Sequence, residues 1–389
     1  MNDKEISHGS VPPVRPPGHD RPAPTGDESH EPLAIEFDGN ASEYFGIWIV
    51  NLLLTVVTLG VWGAWAKVRR LRYFYGNTRL GSDNFDFLAT GLQIFKGRVF
   101  ALLVFAGLSA TQFISPIAQL IATLLLLPLL PWIINLSLRF RAGMTVWRNI
   151  RFGFEGNYWG ALGVFIAMPI AGLATMGLLL PLAGQMAARY VTRNYRYGAA
   201  RFDAKPDVGE FYAAFFMAIA IVLGAFVVAF VPLIGVAIAI GPVVEKPGAD
   251  LEWYLQYYAK QVGPAFISSI YLFVIAIIVG YIAAAQVYIA KTRNAVINSL
   301  NLDGGHRFRS ALSGFKLAWI TISNMVVIVF TVGLMQPWAA VRIWKYQAGR
   351  YVAHPASPVD RFVDEQREAV GAFGSEFGDF EGFDIGIGL

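Results

Sequence analysis

Charged residues are absent from six stretches of the chain, 44–66, 99–138, 156–188, 211–244, 261–290 and 317–341. A helix needs about 20 apolar residues, at 1.5 Å rise each, to cross the hydrocarbon of a bilayer. Each stretch is long enough. Ser115-Pro116 divides the second into two. The pattern predicts apolar helices over about 44–66, 99–114, 117–138, 156–188, 211–241, 264–290 and 317–341. It predicts an all-α fold, a polytopic transmembrane helical bundle spanning residues 35–354.

A basic segment follows most apolar blocks. Lys67, Arg69, Arg70, Arg72 and Arg79 form the first, and Arg139, Arg141, Arg148 and Arg151 the second. Arg189, Arg193, Arg196, Arg201 and Lys205 form the third; later groups surround Lys291–Lys316 and Arg342–Arg350. The positive-inside rule places these segments in the cytoplasm and the less basic 245–260 outside. Two basic segments on one side require an even number of crossings between them. Blocks 156–188 and 317–341 each offer one, so parity favours broken or re-entrant helices there, near Pro169 or Pro181 in the first. Irregular backbone at membrane depth is tolerated only under protein or water.

The chain repeats internally. At an offset of 273, Asn51, Thr58, Gly60, Trp65, Ala66, Val68, Arg69 and Tyr73 match Asn324, Thr331, Gly333, Trp338, Ala339, Val341, Arg342 and Tyr346. Chance overlap of two apolar helices supplies Leu and Val, not Asn, Thr, Gly, Trp, Arg and Tyr in register. The ends therefore read as one unit used twice, in one orientation. A second cassette, N-x-R-x-G, occurs at Asn77–Gly81, Asn149–Gly153 and Asn194–Gly198. It reads as a helix end at Asn, a Gly turn and a Phe (Phe85, Phe154, Phe202) returning to the bilayer surface.

Composition sharpens this picture. The chain has 389 residues, 55% hydrophobic and only 15% charged; soluble domains carry about 25% charge. Zero cysteine excludes disulfides and thiolate metal sites. Residues 1–34 hold seven prolines and read as a disordered tail, with no cleavable signal peptide. The acidic tail 355–389 spaces Phe373, Phe377, Phe380 and Phe383 like a helix. Two readings are open for it: docking on the basic segments or a partner, and a solvated tail.

The run Thr58-Leu59-Gly60-x-Trp62-x-x-Trp65-x-x-x-Arg69-x-x-Arg72-Tyr73, with Asn77-Thr78-x-Leu80 and Phe85/Phe87, resembles the bacterial YjgN family. So do Gly333-x-x-x-Pro337-Trp338-x-x-x-Arg342 and the tail Gly374–Gly386. The match covers about 35–389, with Trp62 where the family usually has Tyr. The resemblance implies a multi-pass protein of the bacterial inner membrane with no established activity.

No ionisable residue lies inside the apolar blocks, which disfavours a proton relay. No metal spacing, nucleophile elbow or phosphate loop is present, so neither an enzyme nor a cofactor is expected. The basic residues hug the membrane, which argues against nucleic acid and for the bilayer, with anionic lipids, as partner. Arg69, Arg72, Arg79, Arg151, Arg196 and Arg342 are candidates for an anionic headgroup or solute. Asn51, Thr58, Gly60, Asn324, Thr331 and Gly333 are candidates for packing between the repeats, or for a bend in each. Two function classes result: a carrier, conduit or lipid-handling protein for an uncharged or anionic molecule, and a scaffold acting through its tails and interfacial segments.

Overall fold

A computed structural model describes residues 31–240, 250–261 and 263–377. The Pro-rich segment 1–30, most of the loop before residue 250 and the last residues with Phe380 and Phe383 lie outside them. The fold is not all-α. Ten short antiparallel strands close into a barrel, in the order β1-β10-β9-β8-β7-β6-β5-β4-β3-β2.

The chain builds the barrel from five strand–helices–strand units. The first is β1 (Leu33–Phe37), α1 (Ala41–Val57), α2 (Gly63–Gly76) and β2 (Thr78–Leu80). The second runs from β3 (Asp83–Phe87) through α3 (Gly91–Ala110), α4 (Pro116–Leu126) and α5 (Leu130–Met144) to β4 (Thr145–Trp147). The third has β5 (Ile150–Phe154), α6 (Tyr158–Leu162), a π turn at Gly163–Ala167, α7 (Met168–Ala174), α8 (Leu180–Asn194) and β6 (Tyr195–Tyr197). The fourth has β7 (Ala200–Ala204), α9 (Val208–Ile240), α10 (Leu251–Gln261), α11 (Gly263–Asn298) and β8 (Leu300–Leu302). The fifth has β9 (His306–Ser310), α12 (Gly314–Phe330), α13 (Gln336–Ala348) and β10 (Tyr351–His354), and α14 (Val359–Phe377) follows. The duplication seen at offset 273 is thus the first and last of five units. These two are neighbours where the barrel closes, through Leu33 opposite Ala353.

Register fixes the polarity of the molecule. Phe37 faces Thr78, Phe87 faces Thr145, Phe154 faces Tyr195, Ala204 faces Leu300 and Ser310 faces Tyr351. Every helical excursion therefore leaves and re-enters at one end of the barrel. The tight turns between units, at 81–82, 148–149, 198–199 and 303–305, lie at the other end.

The excursions are of two kinds. In the second and fourth units, Gly91–Phe113, Pro116–Met144, Val208–Ile238 and Gly263–Asn298 are long and apolar enough to cross a membrane. In the other three the chain turns back early. Thr58-Leu59-Gly60, Thr175-Met176-Gly177 and Thr331-Val332-Gly333 form the same tip, with positive φ at both the second and third residue. Each Thr hydroxyl donates to the carbonyl four residues back, Leu54, Ala171 or Val327. It also accepts from the N–H four residues on, of Trp62, Leu179 or Met335. Segment 44–66 is therefore not a single span; α1 is about 25 Å long and α2 returns. Among the described residues, every excursion returns to the end of the barrel from which it starts.

The short strands alternate. Ile35, Phe85, Phe152, Phe202 and Phe308 occupy the middle position of each five-residue strand and point into the barrel, while Glu36, Asn84, Arg151, Arg201 and Arg307 face out. Phe85 and Phe202 belong to this lining, and Phe154 is buried at the helix end against Tyr190 and Tyr195, rather than at a bilayer surface. The cassette at Asn149 is also out of phase with the other two. Asn77 and Asn194 end helices, each side chain donating to a Tyr carbonyl at 2.8 and 2.7 Å. Asn149 instead sits in a two-residue hairpin turn with Arg148, both at positive φ, as a type I′ turn requires.

Candidate functional site

Each short excursion is anchored by one tyrosine. The Tyr73 hydroxyl accepts from Asn40 N–H at 2.9 Å and donates to the Asn40 carbonyl at 2.8 Å. Tyr190 donates to the Asn157 carbonyl at 2.8 Å, and Tyr346 accepts from Ser313 N–H at 3.0 Å. Asn40, Asn157 and Ser313 are also the N-caps of their helices. Burial pushes the Tyr73 hydroxyl up to about 12, with Glu43 nearby adding to it and the Asn40 backbone opposing. The phenol therefore stays a donor throughout the physiological range.

This third copy was legible in the sequence. At an offset of 117, Phe37, Gly39, Asn40, Thr58, Gly60, Arg72, Tyr73, Asn77, Arg79 and Gly81 match Phe154, Gly156, Asn157, Thr175, Gly177, Arg189, Tyr190, Asn194, Arg196 and Gly198.

The barrel interior forms a lumen. Phe152 and Phe202 stack at 6.4 Å, and Phe202 meets Phe308 at 6.2 Å. At the turn end, Trp147, Tyr197 and Leu302 pack with Phe362 and Val363 of α14, which closes that mouth. Burial raises the Tyr197 hydroxyl far above its ordinary range; it donates to the Trp147 carbonyl at 3.1 Å. At the helix end lies a cavity of about 270 Å³, walled by Ile35, Thr78, Phe85, Trp344, Ala348 and Tyr351 among others. Its lining is mainly apolar. Trp344 Nε1 donates to the Thr78 hydroxyl at 2.9 Å, which donates to the Phe74 carbonyl at 2.6 Å. Those polar atoms are satisfied, so apart from Gln347 and Thr145 the walls present mainly hydrocarbon and aromatic faces. Such a site can hold an apolar group. Among the described residues no group of three or more His, Asp or Glu is placed to hold a metal.

The six candidate arginines do not converge. Arg79 pairs with Glu36 and Asp38, and Arg196 with Glu155, on the outer barrel wall. Arg151 is exposed on that wall. Arg72 donates to the Phe87 and Ala89 carbonyls, bracing the link from β3 to α3. Arg69 and Arg342 each reach a buried Asn in their own excursion, Asn51 at 3.4 Å and Asn324 at 2.9 Å. They also lie over Trp62 and Trp338. Asn51 and Asn324 serve these arginines and do not meet each other. Thr58, Gly60, Thr331 and Gly333 form the tips. No atom lies within 4 Å of a Cβ added to Gly60 or Gly333, so these glycines serve the left-handed turn, not a close helix crossing. Changing Gly177 (φ +92) to Ala is expected to lower stability by about 1–2 kcal/mol through backbone strain, read as a lower unfolding midpoint in detergent.

Four helices long and apolar enough to cross a membrane and three shorter helical hairpins, all rooted in one end of a closed barrel, point to a multi-pass membrane protein. Comparison with known proteins agrees. The chain belongs to the family described as bacterial protein of unknown function (DUF898), whose profile matches residues 32–380. It is similar to "Inner membrane protein YjgN" of Escherichia coli O157:H7, 26% identical over 352 residues, covering 79% of this chain and 84% of that protein. It is equally similar to the protein of that name from Salmonella typhimurium, 26% identical over 343 residues, covering 80% and 85%. The motifs around Thr58–Tyr73 and Gly333–Arg342 lie within the matched residues. No solved structure matches.

Proposed function

We propose that the protein is a lipid-handling protein of the bacterial inner membrane, which takes an apolar chain from the bilayer side into the barrel lumen. The cavity at the helix end of the lumen carries this reading. Its volume, about 270 Å³, approaches the range of small-molecule pockets, about 300–1,000 Å³. Apolar walls next to a hydrocarbon phase favour an acyl or similarly apolar group over a polar solute. The role is binding, not catalysis.

The barrel lies on the cytoplasmic side in this proposal. Lys67, Arg98, Arg141, Arg189, Lys291 and Lys345 occur on helices near the barrel, where the positive-inside rule favours the cytoplasm and anionic lipids. The names of the two relatives support the inner membrane.

Ligand and orientation have separate tests. Ala348→Trp fills the cavity. Native mass spectrometry of protein released from mild detergent is expected to show co-purified lipid in the parent chain and its loss in this variant. Equal lipid in both removes the lumen as the site. The chain lacks cysteine, so Ser82→Cys or Ala199→Cys marks a barrel turn cleanly. An impermeant maleimide is expected to label these sites in inverted vesicles and not in intact spheroplasts; the reverse pattern turns the protein over.

A further inference from the structure

We infer that Lys67, Arg98 and Arg141 form a binding site for a phosphate group at the barrel-side surface of the membrane. The three side chains come from α2, α3 and α5. These helices share one core, in which Ala64 and Val68 of α2 and Ile94 of α3 pack with Phe140 and Met144 of α5. Lys67 adjoins Val68, Arg98 lies one turn beyond Ile94, and Arg141 follows Phe140. Common packing therefore holds the three cations on one side of the molecule.

The arrangement is close. The Arg98 guanidinium lies across α2 at Gly63, one turn before Lys67, only 2.7 Å from where a Cβ would stand. A side chain at residue 63 would displace it, so the glycine makes room for the arginine. Burial, and then the charges of Arg98 and Arg141, push the Lys67 ammonium below its ordinary range. The two arginines are exposed and Lys67 is half-buried, so a ligand can reach all three.

The charges are also uncompensated. Among the described residues, no carboxylate forms an ion pair with any of them. Several other cations near the barrel are already engaged. Arg69 and Arg342 have Asn and Trp partners, Arg72 and Arg139 donate to carbonyls, and Arg193 meets Asp203. Like charges brought together without an anion repel. A phosphate removes that repulsion, and a planar guanidinium can engage two of its oxygens at once while Lys67 adds a point charge. Val99 and Phe100 follow Arg98 directly into an apolar run, and in the same core the Trp65 and Phe95 rings meet at 5.6 Å. Phosphate at this place can come from a phospholipid headgroup or from free phosphate.

The test uses the full chain in nanodiscs of phosphatidylcholine, with either phosphatidylglycerol titrated into the discs or inorganic phosphate added outside. The readouts are retained lipid by native mass spectrometry and phosphate binding by calorimetry. Retention of phosphatidylglycerol that falls about tenfold or more in Lys67→Gln/Arg98→Gln/Arg141→Gln supports the site with a lipid source. Inorganic phosphate bound by the parent and lost in the variant supports it with a free source. Binding of neither by the parent, or equal binding by the variant, overturns it. Arg98→Gln alone, at an exposed residue, is read in the same way should the triple variant fail to fold. Arg293→Gln, an exposed cation on α11, is expected to leave binding unchanged. Inorganic phosphate carries no acyl chain, so its binding by the parent and loss in the triple variant tests this site apart from the lumen.

Discussion

Replacing Phe362 by Ala is expected to destabilise the protein by about 3–5 kcal/mol and to open the turn end of the barrel. Phe362 is 7% exposed and Val363 2%. The Phe362 ring stacks on Tyr197 at 6.2 Å and lies 4.3 Å from His306. The next turn of α14 adds Gln366, whose carbonyl oxygen accepts from the N–H groups of Ala199 and Ala200 at 3.1 and 2.9 Å. These donors sit at the mouth, in and beside the turn between β6 and β7. Truncating the phenyl leaves a cavity over Tyr197 and Leu302 and admits water to the aromatic lining. The measurement is the unfolding midpoint in detergent, together with binding of an environment-sensitive dye. The ion pair of Arg148 with Asp360 contributes far less. Asp360 is 87% exposed, so Asp360→Asn is expected to cost under about 1 kcal/mol. A Phe362→Ala variant with parental stability would mean that α14 does not seal the mouth in solution.

The position of that helix also shows where sequence reading stopped. The acidic, Phe-spaced segment is recognisable as helical, and Phe373 through Phe383 dominate its pattern; among the described residues, Val359, Phe362, Val363 and Gln366 meet the barrel. The apolar blocks were legible because about 20 consecutive apolar residues have few uses other than the bilayer. The strands were not. Each has three to five residues, too few for a period-2 pattern to stand out beside helices several times longer. Their alternation is real, as in Asp83-Asn84-Phe85-Asp86-Phe87 or Ala200-Arg201-Phe202-Asp203-Ala204. Beside a membrane, however, charges interleaved with Phe read equally well as an interfacial loop. Closure depends on partners far apart, such as Ala204 beside Leu300, which no local signal encodes. The offset of 117 carried the missing information: three equivalent units at 37–81, 154–198 and near 310–354 are hard to reconcile with a simple duplication. The lumen follows from that barrel, so it was equally out of reach. Its apolar residues were visible individually, and only the pairing turns them inward.

Asn324→Leu is expected to lower stability by about 2–3 kcal/mol, and adding Arg342→Met is expected to recover most of the loss. Asn324 is 3% exposed. Its oxygen accepts from Arg342 at 2.9 Å, and its amide donates to the Ala339 carbonyl at 3.2 Å. Arg342 has a second acceptor in the Ser323 hydroxyl at 2.8 Å. Leucine at 324 removes the better-shielded acceptor and leaves a half-buried guanidinium with fewer partners on a helix that returns from membrane depth. Removing the charge as well replaces both partners by apolar groups of similar length, an exchange that is often close to neutral. The equivalent Asn51→Leu is expected to cost less, because its bonds from Trp62 and Arg69 are longer, at 3.2 and 3.4 Å, where hydrogen bonds weaken. The same double variant separates a strut from a ligand site. Arg342 directs Nη1 to Asn324 and Ser323 and lies over the Trp338 ring, on α13 and not on the α2, α3 and α5 helices of the proposed phosphate site. A recovered Asn324→Leu/Arg342→Met chain should therefore retain phosphatidylglycerol as the parent does. Loss of that lipid at full stability would return Arg342 to the anion-binding machinery and would move the phosphate site away from α2, α3 and α5.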